Sequence, residues 1–250
     1  MTAPVLVLVM PSTPEGPATI TAHRIRQRLA KIHPHIETAI AFSGNADEGA
    51  ARLAAKQEWT ELVLVPMDLT HLHDLPEPVH ELSDRLAGAR PDLSIRLGRP
   101  LGPAPALLGL VDTRLRLATH RAHTQEIDAL VLSTPDAGDK RGAAMLSRLS
   151  RMWSQHHRLP VRLANDAGGA GHVDEVVHTL RLEGRRHVAV GSMWVCENTA
   201  WHEHVRCAMG AGTEVVSSPI GDDPLLAEWA FERYCSAAMG LVADDPGTEA

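Results

Sequence analysis

The chain has 250 residues, 44% of them hydrophobic, and a formal net charge of −7, so it can bury one large core or two smaller ones. An acidic balance without a basic run, and only five Trp, two Phe and one Tyr, exclude a nucleic-acid partner held by phosphate neutralisation or base stacking. Apolar runs such as 5–10 fall far short of the roughly 20 residues of a membrane helix, and no charged segment precedes an apolar one at the N-terminus. No membrane association and a cytoplasmic location are therefore expected. Cys196, Cys207 and Cys235 have no CxxC spacing and read as free thiols. The unusual count is 15 His, imidazole being both the commonest metal ligand and the side chain that titrates near neutral pH.

In chain order, the pattern predicts a strand over 5–9 and a helix over 17–32, a strand over 36–41 and a helix over 47–57. A strand over 61–65, a helix over 77–87, a strand over 93–97 and a helix over 104–119 follow. Continuous apolar strands separated by helices indicate an α/β fold with parallel sheets covered on both faces. In the third helix Val79, Leu82 and Leu86 recur at spacings of three and four, with Pro76 and Pro78 at its first turn. The second half repeats the order: strands over 129–132, 161–164, 187–190 and 214–216 alternate with helices over 142–157, 173–183, 199–209 and 223–237.

The repetition is an internal duplication. Val5-Leu-Val-Leu-Val-Met-Pro11 lines up with Asp128-Ala-Leu-Val-Leu-Ser-Thr-Pro135, and Pro100-Leu-Gly-Pro-Ala-Pro-Ala-Leu-Leu108 with Pro219-Ile-Gly-Asp-Asp-Pro-Leu-Leu226. The expected domains are an N-terminal half, 1–122, and a C-terminal half, 127–240, with a flexible tail over 241–250. Ligands of open parallel sheets sit beyond the carboxyl ends of the strands, which directs attention to the loops 10–16, 67–76, 134–141 and 192–202.

The loop Met67-Asp-Leu-Thr-His71-Leu-His73-Asp74 is the most informative. In extended chain His71 and His73 point to one side and suit a shared divalent ion, with Asp68 or Asp74 as oxygen ligand or orienting partner. The alternative is that one packs or caps while the other is solvated. In the matching loop of the second half, Trp194, Cys196, Glu197, Trp201, His202 and His204 gather a thiol, a carboxylate and imidazoles beside two apolar walls. If Thr199 caps the following helix, His202 and His204 lie about 200° apart and only one faces the ligand. Cys196 reads equally well as a small buried hydrophobe. Gly168-Gly-Ala-Gly171 lacks the third glycine of a dinucleotide fingerprint, and no GxxxxGK[ST], GxSxG or HExxH motif occurs, so no nucleotide is expected.

Taken together, Leu62-Val-Leu-Val-Pro66, the His-bearing loop, Asp74-Leu-Pro-Glu77 and Arg99-Pro-Leu-Gly-Pro-Ala-Pro-Ala-Leu-Leu108 resemble the class II sirohydrochlorin chelatases of the CbiX/SirB type, in their long two-domain form. The resemblance implies two flavodoxin-like, chelatase-like halves and an ATP-independent chelatase of the lyase class. Such an enzyme inserts cobalt or ferrous iron (Co²⁺ or Fe²⁺) into a sirohydrochlorin-type tetrapyrrole, in siroheme and cobalamin pathways. The partner implied is that small molecule, and the expected state is a monomer or a homodimer.

The resemblance puts the family's second histidine at His71 or, on a shift of one or two residues, at His73. With the loop chemistry above, His71, His73 and Cys196 are the expected metal ligands, and His71, His73, Glu197 and His202 the expected catalytic residues. Met10, Ser12, Thr134, Trp194 and Trp201 contact substrate. The chain departs from the family after the first strand, where Val9-Met10-Pro11-Ser12 stands in place of Gly-His-Gly-Ser. A thioether there softens the site and removes a proton acceptor, which leaves a non-catalytic metal or tetrapyrrole carrier as the rival reading.

Overall fold

A computed structural model describes residues 3–124, 126–167 and 171–243. Gly168, Gly169 and Ala170, and residues 244–250 of the tail expected over 241–250, lie outside the described residues. The first four strands are β1 (Val5–Met10), β2 (Thr38–Phe42), β3 (Glu61–Pro66) and β4 (Ser94–Leu97), alternating with α1 (Gly16–Ile32), α2 (Ala46–Ala54), α3 (Glu77–Ala89) and α4 (Pro105–Arg121). The same alternation continues through β5 (Ala129–Asp136), α5 (Lys140–His157), β6 (Val161–Ala167), α6 (Val173–Leu182), β7 (Val188–Ser192), α7 (Thr199–Gly210), β8 (Val215–Val216) and α8 (Pro224–Ala243). All strand pairs are parallel, in two four-stranded sheets ordered β2-β1-β3-β4 and β6-β5-β7-β8. The fold is thus the α/β arrangement of two similar parallel halves that the apolar runs predict.

The elements begin where local chemistry places them. Prolines in the first turns of α1, α3 and α4 lose no helical hydrogen bond, and Asn45, Asp139 and Asn198 accept first-turn N–H groups of α2, α5 and α7. The cap of α7 is therefore Asn198, one residue before Thr199. β5 runs four residues further than its apolar pattern, because Ser133 and Thr134 pair in register with β6 and their hydroxyls find partners inside.

The chain forms two compact units. One holds the described residues up to Asp68, His73–Leu101 and those from Asp222 on; the other holds Leu69–Leu72 and Gly102–Gly221. In the first unit α8 packs on α1, β3 and β4, while in the second α4 packs on β7 and β8. α8 continues to Ala243, past position 240. No described helix is long and apolar enough to cross a membrane.

Candidate metal site

The second unit collects chemistry at the carboxyl edge of its sheet, where the adjacent parallel strands β5 and β7 end. At the end of β5, Asp136 turns its Oδ1 to the Gly138 N–H at 2.7 Å, and Gly138 takes a left-handed φ of +69°. Asp139 accepts the Gly142 N–H at 2.5 Å and the Leu72 N–H at 3.3 Å. The segment Leu69–Leu72 is thereby held against the start of α5, with the Thr70 carbonyl seated where a Cβ on Gly138 or Gly142 would stand.

This seating fixes His71. Its Nδ1 lies 3.2 Å from Thr70 Oγ1, and one of its ring nitrogens comes within 4.8 Å of a carboxylate oxygen of Asp136. Asp68, three residues back in the chain, is buried in the first unit. One imidazole and a carboxylate oxygen suit a divalent first-row ion, which binds such donors at about 2.0–2.2 Å. Asp136 is the member that sequence reasoning missed. Its available signal was a carboxylate at the end of the strand that duplicates β1.

The other predicted residues separate into three groups. His73 is exposed and pairs its Nδ1 with Asp74 Oδ1 at 2.9 Å, outside any metal-competent cluster among the described residues. Glu197 and His202 form an open pair after β7, Nε2 to Oε2 being 3.9 Å. Trp194, Trp201, Cys196, Met10 and Thr134 are buried.

The indole N–H groups of Trp194 and Trp201 go to Ser133 Oγ at 3.0 Å and Ser192 Oγ at 3.4 Å, and Thr134 donates to the Asp136 carbonyl at 2.7 Å. These side chains serve the interior of their unit. Of the two helix histidines, His204 faces the core and His202 the outside, as a 200° offset requires. Burial, with Glu203 beside it, pushes the Cys207 thiol up, so that sulfur stays protonated and is a poor ligand. In the first unit, Ser12 lies just beyond β1 with a buried Oγ that has no hydrogen-bond partner among the described residues, the kind of orphan that a bound polar group satisfies.

Two four-stranded parallel sheets with alternating helices make an α/β fold that comparison with solved structures finds in chelatases. SirB from Bacillus subtilis with Fe³⁺ matches at 18% identity over 95% of this chain and 97% of that one, with a TM-score of 0.60. The sirohydrochlorin chelatase SirB from Bacillus subtilis subspecies spizizenii, in complex with cobalt, matches at 16% identity over 95% and 97%, with a TM-score of 0.64. CbiX, the terminal enzyme of siroheme biosynthesis in denitrifying bacteria, matches at 18% over 93% and 99%, with a TM-score of 0.62. No family model and no curated protein matches the chain in sequence. The chain has a CbiX/SirB-like fold.

Proposed function

We propose that this protein handles a divalent metal, cobalt or ferrous iron, for a sirohydrochlorin-type tetrapyrrole, as a divergent ATP-independent chelatase. The observation that carries the reading is His71, seated by the Thr70 carbonyl on Gly138 and Gly142 and facing the Asp136 carboxylate. The similar folds of SirB with Fe³⁺, SirB with cobalt and CbiX of siroheme biosynthesis support the substrate class.

Metal insertion requires an ion to be delivered partly dehydrated while two pyrrole N–H bonds break. His71 with Asp136 holds the incoming substrate ion by few ligands, which leaves positions open for ring nitrogens. The Glu197–His202 pair, at the end of β7 beside β5, offers proton acceptors in the same unit. Ser12 of the first unit, whose hydroxyl is unpaired among the described residues, is offered as a polar contact for substrate. Met10 favours the second reading, a carrier: a fully buried thioether at the end of β1 neither accepts a proton nor reaches out to an ion.

The test titrates metal-free protein with Co²⁺ and Fe²⁺, with and without sirohydrochlorin, following the tetrapyrrole's absorption. Faster metallation than in buffer is expected, falling at least about tenfold in His71→Ala and Asp136→Asn. His73→Ala is expected to keep the parent rate. Tight binding of both ligands without acceleration establishes the carrier; an unchanged rate in His71→Ala sinks the metal assignment.

A further inference from the structure

Away from the strand ends, on the outer helices of the second unit, a second group of ligands converges. Asp112 on α4 faces the last turn of α5, where His156 and His157 end the helix. Their ligand atoms and a carboxylate oxygen of Asp112 all lie within 4.8 Å of one another. His157 Nε2 is 2.8 Å from Asp112 Oδ1, and His156 Nε2 is 3.8 Å from Asp112 Oδ2. The two imidazole rings stand edge to face, their centroids 4.9 Å apart.

The carboxylate is positioned rather than loose. Trp153, one turn earlier on α5, donates its indole N–H to Asp112 Oδ1 at 2.6 Å. Trp153 is itself wedged in place, since Gly191 of β7 leaves room for its ring: a Cβ there would meet Trp153 at 2.5 Å and Val111 at 2.6 Å. Oδ1 thus accepts the indole N–H, with His157 Nε2 beside it at 2.8 Å. Oδ2 accepts no hydrogen bond among the described residues and faces His156 alone, although only 17% of the Asp112 side chain is exposed. A half-used carboxylate oxygen flanked by two imidazole nitrogens, with a buried indole orienting the other oxygen, is the construction of a metal ligand with its supporting partner.

We infer that Asp112, His156 and His157 form a second divalent-cation site, taking Zn²⁺, Co²⁺ or Ni²⁺ at Asp112 Oδ2 and the two imidazoles. Two neutral nitrogens and one anionic oxygen favour those borderline ions over Mg²⁺ or Ca²⁺, which want six or more oxygens. The exposed His156 side leaves the remaining positions to water or an incoming ligand. Binding clips α4 to the end of α5, so the ion adds to the stability of the second unit by mass action.

The site is separable from the one at His71, because it shares none of its residues. The experiment uses metal-free full chain carrying His71→Ala, titrated with Zn²⁺ by calorimetry and with Ni²⁺ by quenching of tryptophan fluorescence. One ion per chain is expected, with a rise in Tm. His156→Ala, at an exposed position that leaves the fold intact, is expected to weaken binding at least about tenfold, and His156→Ala/His157→Ala to abolish both the ion and the Tm rise. Trp153→Phe is expected to remove most of the Ni²⁺ quench, because its indole touches the ligand carboxylate. Equal affinity in the double variant, or no ion bound by the His71→Ala parent, overturns the site and leaves the His71 reading untouched.

Discussion

His204 looks like a ligand in the sequence and is a core residue in the fold. It is fully buried on α7, and its Nε2 meets Ser133 Oγ at 2.6 Å, while the same hydroxyl accepts the Trp194 indole N–H at 3.0 Å. Three polar groups so enclosed are inexpensive only while each has its partner. His204→Ala leaves the hydroxyl with the Trp194 indole alone and opens a cavity, and is expected to lower unfolding stability by about 3 kcal/mol in denaturant titrations. His202→Ala, two residues away on the exposed face, is expected to stay within about 0.5 kcal/mol of the parent. Similar losses for both would mean that the Ser133–His204 pair contributes little.

At the scale of elements, the seat of Leu69–Leu72 is the feature on which the metal reading depends. Gly142 lies in the first turn of α5, where Gly→Ala normally gains about 0.5–1 kcal/mol by helix propensity. Here the new methyl would run into the Thr70 carbonyl oxygen and push the segment, with His71, off Asp136. Gly142→Ala is therefore expected to weaken Co²⁺ binding at His71 at least about tenfold in a calorimetric titration, without loss of far-ultraviolet helicity. Parent-like affinity would show that the seat does not set His71.

The same element explains what the sequence could reveal. The strands and helices are legible because an uninterrupted run such as Leu62-Val-Leu-Val can only be a strand buried on both faces. The choice between His71 and His73 was not, since residues two apart share a side only in extended chain, and this loop bends where it docks on α5. Asp136 stayed hidden for another reason: no spacing rule links position 71 to position 136, and only tertiary packing brings them together. Likewise β5 outruns its apolar pattern because buried hydroxyls at Ser133 and Thr134 are satisfied by partners that no local window contains.

At the scale of the whole chain, the first unit contains both the opening strand and the closing helix. Leu226, Ala227, Ala230 and Tyr234 are buried along α8 at helical spacing, Arg233 donates to the Pro100 carbonyl at 3.2 Å, and Phe231 stacks on His33. The anchor is Tyr234, whose hydroxyl donates to the Pro4 carbonyl at 2.7 Å. Burial pushes the Tyr234 phenol up to about 12, against 10 for the unfolded chain. The unfolded state therefore sheds its proton first as pH rises, so folding stability falls from about pH 10 and continues to fall until about pH 12.

Tyr234 is the single tyrosine, which makes its ultraviolet titration directly readable. The tyrosinate absorbance is expected to rise near pH 12 in the native protein and near pH 10 in denaturant. Tyr234→Phe is expected to flatten the alkaline loss of stability while costing about 1 kcal/mol at neutral pH, the worth of one hydrogen bond. A native midpoint near 10 would mean that α8 leaves the start of β1 open to water, and that the last helix does not close the first unit.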